Sequence, residues 1–316
     1  MKTGFIVKQP GLLSLIQDLG RFGHHRIGLT NGGPMDPLAF QWANRLCGNT
    51  LEQAAIEVTV GGLQLEAGVD TTIAITGADV CLKINTIEKE LWRTHTVKQG
   101  DLIELGFAKK GCRSYLAVAG GFQVPRSFSS VATVCREQVG GLNGGKLVAD
   151  DFLPCNNVTD SQAATQHYQL AVCDRPTYQT TVSLRTIVGY QHQHFDSIQQ
   201  RLFFTSEYKV SSLSDRMGYR LQGPAISADI DGILSEGICQ GAIQIPADGQ
   251  PIVLMNDRQT IGGYPKIGSV IAVDTGLLAQ LSSGQRVSFT KVSIEEAHNL
   301  AHLSAQKFQT TQLQRL

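Results

Sequence analysis

The densest group of side chains able to do chemistry lies in residues 256–266, with the sequence NDRQTIGGYPK. Asp257 is a candidate proton acceptor. Arg258 and Lys266 are candidate anion binders, the first as a planar fork and the second as a point charge. The other candidate contacts in the segment are Gln259, Gly262, Gly263 and Tyr264. On residue types alone, a ligand site and an ordinary solvated loop are equally good interpretations.

Two further polar stretches in the second half of the chain are candidate parts of the same site. In residues 214–220, Arg216 and Arg220 have the spacing of an anion clamp and Asp215 stands beside them, although a surface turn with an Asp–Arg pair is the favoured interpretation of this segment taken alone. Glu236 ends an apolar run. A partly buried carboxylate there would have a raised pKa and act as an acid or base, unless it only accepts backbone hydrogen bonds.

Glycine-rich segments give weaker signals. Residues 31–36 run into a predicted helix capped by Asp36, and such an N-terminus attracts anions, although a plain capped turn is the simpler interpretation. Residues 140–146 imitate a P-loop, but Leu147 stands where that motif needs Ser or Thr. The pair His192 and His194 would share one face of a strand and could bind a metal, but exposed polar residues are the favoured interpretation.

The elements that must position these residues are mostly short strands. The sequence predicts one helix from Pro37 to near Gly48 and a second after a capping box formed by Ser293 and Glu296. Residues 242–254 are predicted to form a hairpin with a glycine-containing loop. The predicted strands are 55–60, 63–65, 71–76, 80–84, 102–105, 114–118, 184–188, 242–245, 252–254, 270–273 and 287–289.

A weak internal repeat relates the two halves of the chain. Glu57 and Gln64 in the first half match Glu236 and Gln244 in the second at a nearly constant offset. Regularly spaced short strands with few helices favour barrels or sandwiches. We therefore predict a mainly β protein made of two duplicated domains, residues 1–165 and 166–316.

Composition excludes several function classes. The formal net charge is zero, so a nucleic-acid surface built on clustered basic charge is not expected. The seven cysteines are an odd number without paired metal-ligand spacing, which favours a reducing cytoplasm over a disulfide framework. No apolar run has the ~20 residues that a membrane-spanning helix needs, and no signal segment opens the chain.

Several motifs together resemble a known family, that of the C subunit of bacterial ATP-dependent 5-oxoprolinase. The family is also described as allophanate hydrolase subunit 2, biotin-dependent carboxyltransferase-like and kinase-inhibitor-antagonist-like. The similarity covers nearly the whole chain and is most specific at its C-terminal end. The motifs that carry it are LIQDLGR at 15–21, GPMDPLA at 33–39, YLAVAGG at 115–121, SDRMGYRL at 214–221, SEG at 235–237, and residues 246–260 with 262–266.

The resemblance implies two cyclophilin-like β-barrel domains and an enzyme made of several subunits. The direct partner of this chain would be a kinase-inhibitor-like B subunit, and the third component of the enzyme would be a metal-dependent A subunit. The enzyme would open 5-oxoproline to glutamate with ATP and magnesium as the co-substrate. The implied catalytic residues are Asp215, Glu236, Asp257, Arg258 and Lys266. The implied substrate or ATP contacts are Asp36, Arg216, Arg220, Gln244, Gln259, Gly262, Gly263 and Tyr264.

Two departures and two alternatives accompany this resemblance. Val131 and Gly145 stand where the family pattern has arginine, which puts the exact substrate in doubt. One alternative is the carboxyltransferase domain of a biotin-dependent urea or amide carboxylase. Since no Met-Lys-Met attachment sequence is present, we expect no biotin on this chain. The other alternative is a non-catalytic antagonist of a kinase inhibitor protein.

Overall fold

The computed structural model describes residues 3–156 and 167–316, which form two compact units. The first unit comprises Met1–Arg21, Gly32–Tyr178 and Gln312–Leu316, and the second comprises Phe22–Asn31 and Gln179–Thr311. The boundary predicted between residues 165 and 166 lies outside the described residues. The chain crosses from one unit to the other more than once, so no single boundary in the sequence separates the residues of the two units.

Short strands are the main element, as predicted. The strands up to residue 169 are β1 Gly4–Pro10, β2 Leu13–Gln17, β3 Ala55–Thr59, β4 Leu63–Ala67, β5 Thr71–Asp79, β6 Leu82–Ile84, β7 Ile87–Lys89, β8 Thr94–Val97, β9 Leu102–Leu105, β10 Lys110–Val118, β11 Phe152–Pro154 and β12 Tyr168–Gln169. The later strands are β13 Thr181–Val188, β14 Tyr208–Val210, β15 Gly218–Gln222, β16 Glu236–Gly237, β17 Ala242–Gln244, β18 Ile252–Leu254, β19 Ile261–Gly262, β20 Lys266–Val270, β21 Arg286–Val292 and β22 Gln314–Arg315.

The first unit is built on two sheets with one hydrophobic core. One sheet has the order β11-β1-β4-β9-β6-β7 and the other has the order β2-β3-β10-β5-β8, while β12 pairs with β22. Alternation along β4 turns Leu63, Leu65 and Ala67 inward, as expected for a strand with one buried face. These side chains join Phe5 and Ile56 in the core.

The second unit contains a closed barrel with the strand order β13-β20-β17-β18-β15-β14-β21. Parallel pairing of β13 with β21, from Thr181 opposite Arg286 to Ile187 opposite Val292, closes it. The predicted hairpin is confirmed, since Ile243 pairs with Val253 across β17 and β18. The mainly β fold class is therefore confirmed, whereas the proposed duplication stays a prediction.

Helices in the described residues are α1 Pro37–Leu46, α2 Ser197–Thr205, α3 Ala272–Ala279 and α4 Ile294–Thr310. Both predicted caps are present: Asp36 accepts a hydrogen bond from the Ala39 amide, and Ser293 accepts one from the Glu296 amide. Among the described residues, no helix is long and apolar enough to cross a membrane.

Two local predictions were wrong. The strand predicted over 270–273 ends at Val270, because α3 begins at Ala272 and its first-turn Asp274 is held by Arg185 through a 2.9 Å hydrogen bond from Nε. Residues 192–194 do not form a strand. They end a 3-10 turn over Tyr190–His194, in which His192 Nδ1 lies 2.8 Å from the Gly189 carbonyl oxygen.

Candidate functional site

The segment 256–266 leaves the end of β18 and enters β20, so both of its ends are fixed by the barrel. Its start is held by Arg216. The guanidinium donates from Nε to Asp257 Oδ2 and from Nη2 to Asp257 Oδ1, each at 2.9 Å, and both side chains are buried. The Asp257 amide also donates to the Arg216 carbonyl at 2.9 Å. Asp257 therefore anchors the segment rather than presenting an unengaged carboxylate.

Glu236 and Lys266 form a second pair at the other end of the segment. Lys266 Nζ contacts Glu236 Oε1, and this interaction is the main reason that the pKa of Glu236 lies below its ordinary range. The raised pKa expected for Glu236 was therefore wrong, because a neighbouring ammonium stabilises the charged carboxylate more than partial burial penalises it. Glu236 is thus negatively charged at neutral pH.

Two residues that sequence reasoning missed complete this pair. Gln191 Nε2 donates to Glu236 Oε1 at 2.9 Å, while Gln191 Oε1 accepts from the Lys266 amide at 2.9 Å. The hydroxyl of Tyr190 hydrogen-bonds Glu236, which raises the pKa of Tyr190. Gln191 therefore bridges the two members of the pair, and Tyr190 contributes a further hydrogen bond to the Glu236 carboxylate.

A small cavity of about 130 Å³ lies among the predicted residues of the second unit. Gln244 lines it from a buried position, with 1% of its surface exposed, and its Nε2 has no hydrogen-bond partner among the described residues. Such an unsatisfied buried donor is uncommon in native proteins. The cavity-lining residues are Asp215, Met217, Gly218, Arg220, Gln244, Ile252, Leu254, Gln259 and Tyr264.

Arg258 is a buried cation, and it makes no salt bridge with any residue that the structure describes. Its Nε donates to the Ile238 carbonyl at 3.2 Å and its Nη1 donates to the Met255 carbonyl at 3.3 Å. Burial lowers the pKa of this guanidinium. A buried guanidinium that contacts only neutral carbonyls is suited to attracting an anion.

The predicted residues thus fall into groups with different surroundings. Arg216 is buried in its pair with Asp257, whereas the exposed Arg220 lines the cavity, so the two do not act as one clamp. Gly262 lies against the Gln244 amide, and the Gly263 carbonyl accepts from the Ile233 amide at 2.8 Å.

Asp36 lies in the first unit. There its carboxylate caps α1 and accepts a 2.7 Å hydrogen bond from the Tyr178 hydroxyl. Both contacts serve the local structure around the start of α1.

Comparison with known proteins identifies the family of this chain. The family model of the carboxyltransferase domain, subdomain A and B, matches residues 27–291. The chain belongs to this family. It is 38% identical over 293 residues to the C subunit of 5-oxoprolinase from Escherichia coli strain K12, covering 92% of this chain and 91% of that protein.

Two further similar proteins extend the comparison. The C subunit of 5-oxoprolinase from Haemophilus influenzae is 37% identical over 289 residues, covering 90% of each chain. The crystal structure of the Kluyveromyces lactis urea amidolyase superposes with a TM-score of 0.92 at 27% identity. That match covers 99% of this chain but only 20% of the urea amidolyase.

The two departures from the family pattern have different surroundings in this carboxyltransferase domain. Val131 is buried in the core of the first unit, and its amide donates to Asp18 Oδ2 at 2.8 Å. Gly145 has open space where a side chain would begin. Among the described residues, no group of three or more His, Cys, Asp or Glu side chains is arranged to hold a metal ion.

Proposed function

We propose that this chain is one of the three components of an ATP-dependent 5-oxoprolinase, which opens the 5-oxoproline lactam to L-glutamate together with the A and B subunits. The observation that carries the proposal is the share of each relative's length that this chain covers. The relatives named as the C subunit of 5-oxoprolinase match 92% and 90% of this chain, at 91% and 90% of their own lengths. The urea amidolyase match involves only a fifth of a much longer protein.

The proposed reaction solves a chemical problem of the lactam, whose carbonyl carbon is a poor electrophile. The terminal phosphoryl group of ATP moves to the lactam oxygen and ADP leaves. Water then adds to the activated carbon, the carbon–nitrogen bond breaks, and a second water releases phosphate. The steps need cations around developing negative charge and a group that accepts protons from water.

The second unit supplies groups of these types. Glu236 is ionised at neutral pH, with a pKa that Lys266 holds below its ordinary range, and it is the proposed proton acceptor. Lys266 and Arg258 are the proposed cations, and Gln191 holds Glu236 and Lys266 in register. Because Asp257 is engaged by Arg216, its proposed role is positional.

The cavity places a limit on what this unit holds. Pockets for drug-sized ligands occupy ~300–1,000 Å³, whereas the cavity beside Gln244 has about 130 Å³. We therefore assign the lactam, rather than the nucleotide, to this cavity. ATP would bind together with its magnesium ion where a partner protein supplies further surface. We propose that the enzyme works in the cytoplasm, the compartment that the cysteine content favours.

The proposal is tested by purifying the three subunits together and measuring glutamate and ADP formed from 5-oxoproline. Full turnover should require this chain, and Lys266→Met should lower kcat by at least ~100-fold, as expected for the loss of a charge used in the transition state. Equal turnover by the set lacking this chain would overturn the proposal.

A second candidate function is favoured by the family itself. The carboxyltransferase-domain match and the superposition on urea amidolyase support transfer of a carboxyl group from a biotinylated partner to the nitrogen of urea or a similar amide. Carboxylation of urea without turnover of 5-oxoproline would select this candidate.

A further inference from the structure

The amide of Gln244 is the one cavity-lining group that combines near-complete burial with an unmatched hydrogen-bond donor among the described residues. It is 1% exposed, and its Nε2 has no hydrogen-bond partner in the part of the chain that the structure describes. Leaving a buried amide donor unsatisfied costs ~1–3 kcal/mol. A donor kept in this state at a cavity wall is positioned for a ligand that is not part of the chain.

Gly262 makes the space beside this amide. A Cβ atom added to Gly262 would lie 2.6 Å from Gln244 Nε2 and 3.2 Å from the Ile238 Cδ1 atom. Real Cβ atoms do not approach other atoms as closely as the first distance, so any side chain at position 262 would displace the amide. The backbone of Gly262 does not have a positive φ, so the constraint comes from space rather than from chain conformation.

The surroundings of Gln244 suit a small ring. Gln244 lies opposite Ile252 on one neighbouring strand and opposite Lys266 on the other. Ile252 and Leu254 provide apolar walls, while Tyr264, 45% exposed, lies at the outer part of the cavity. The Gln244 amide is therefore the deep polar feature of a mostly apolar recess.

Taking the proposed function as its basis, we propose that Gln244 recognises the amide edge of a lactam. The amide of a five-membered lactam is held cis by the ring, so its N–H and its carbonyl oxygen lie on the same edge. A primary carboxamide has the complementary arrangement, with an N–H donor and a carbonyl acceptor on one edge. The two groups pair through two hydrogen bonds, in which Nε2 donates to the lactam oxygen and Oε1 accepts from the lactam N–H.

Arg220 extends the assignment to the acid group of the substrate. It is exposed at the same cavity and forms no ion pair with a residue that the structure describes. A guanidinium binds a carboxylate through parallel hydrogen bonds. The Asp215 carboxylate at this cavity is engaged, since its Oδ1 accepts from the Met217 and Gly218 amides at 2.8 and 3.2 Å. The site is thus matched to a small cyclic amide that carries a carboxylate. Urea is neither cyclic nor a carboxylate.

The first test compares three variants in the assembled three-subunit enzyme. Gln244→Met keeps the side-chain length but removes both hydrogen bonds, and Gly262→Ala fills the space beside the amide. Each should raise the KM for 5-oxoproline by ~10-fold or more, as expected for two lost hydrogen bonds. Gly237→Ala is the matched control, because an added Cβ there meets no atom within 4 Å, and its KM should stay unchanged.

The second test uses two fragments of the substrate as competitors for bound 5-oxoproline, measured by titration calorimetry. 2-Pyrrolidinone carries the lactam without the carboxylate, and tetrahydrofuran-2-carboxylate carries the carboxylate without the amide. Gln244→Met should weaken the binding of 2-pyrrolidinone and leave the binding of tetrahydrofuran-2-carboxylate unchanged. Arg220→Gln should weaken the binding of tetrahydrofuran-2-carboxylate and leave that of 2-pyrrolidinone unchanged.

Two results would overturn the recognition role while leaving the 5-oxoprolinase proposal intact. One is an unchanged KM in Gln244→Met and Gly262→Ala. The other is that Gln244→Met and Arg220→Gln each weaken the binding of both fragments equally. Absence of turnover by the wild-type set would overturn the proposed function instead. The fragment competition would then still decide whether Gln244 and Arg220 recognise an amide and a carboxylate.

Discussion

Arg216 and Asp257 are joined by two parallel hydrogen bonds, each 2.9 Å long, although they are separated by 41 residues. Both side chains are buried, at 7% and 8% exposure. The pair ties Arg216, two residues before β15, to the start of segment 256–266. The candidate site is therefore carried by a rigid connection between barrel strands rather than by a mobile loop, which suits a constellation that must keep its geometry.

The first prediction concerns the stability of this pair. Asp257→Asn or Arg216→Met each leaves one buried group without its charge partner, so each should lower the free energy of unfolding by about 3–5 kcal/mol. The double variant should cost less than the sum of the two, as measured by denaturant titration. Single-variant losses below about 1 kcal/mol would contradict the assignment of Asp257 as an anchor.

The second prediction concerns the protonation of Glu236. Because Lys266 lowers the pKa of Glu236 below its ordinary value of 4.5, the pair stabilises the fold above that pH. The contribution is lost as the pH falls through the lower folded-state pKa. Lys266→Met should raise the pKa of Glu236, as followed by carboxyl ¹³C NMR.

A matched control removes a different ion pair of the same unit. Arg286→Met deletes the exposed contact with Glu207 at 3.0 Å and should leave the titration of Glu236 unchanged. An unchanged Glu236 titration in Lys266→Met would show that the ammonium does not set its charge.

The third prediction separates two roles for Asp36. Asp36→Ala removes the cap of α1 and the contact with Tyr178, and should lower the free energy of unfolding by about 0.5–2 kcal/mol. Asp36→Asn keeps a capping oxygen but removes the charge. If the carboxylate serves only local structure, Asp36→Asn leaves the KM for 5-oxoproline unchanged; a rise of tenfold would instead give Asp36 a part in substrate binding.

The fourth prediction concerns thiol reactivity. Burial raises the pKa of Cys155 to about 12 and that of Cys47 further, whereas Cys135, Cys173 and Cys239 are exposed. Since the thiolate is the reactive form, the exposed cysteines should react rapidly with a disulfide reagent and the buried ones only after unfolding. Cys135→Ser should remove one rapid equivalent. Rapid reaction of Cys47 in the folded protein would contradict the packing of α1.

The parts of the fold that depend on local chemistry were predictable from sequence. Asp36 and Ser293 cap the helices that their spacing predicted. The hairpin that places Gln244 opposite Ile252 follows from a turn within the same stretch of chain. Each of these features joins residues that are close in sequence.

The internal geometry of the site was not predictable in this way. Gln191 reaches Glu236 across 45 residues and the Lys266 amide across 75, and no local pattern marks such contacts. The sign of the Glu236 pKa shift was missed for the same reason, because it depends on an ammonium brought in by the fold. That Gln244 Nε2 has no hydrogen-bond partner among residues 3–156 and 167–316 becomes visible only from the folded structure.

The proposed 5-oxoprolinase function is tested most directly by giving the wild-type three-subunit enzyme 5-oxoproline and urea in parallel, each with ATP, bicarbonate and a biotinylated carrier protein together with its biotin carboxylase. We expect glutamate and ADP in equal amounts from 5-oxoproline, no carboxylated urea, and loss of glutamate formation in Lys266→Met. Carboxylation of urea with no glutamate from 5-oxoproline would contradict this function.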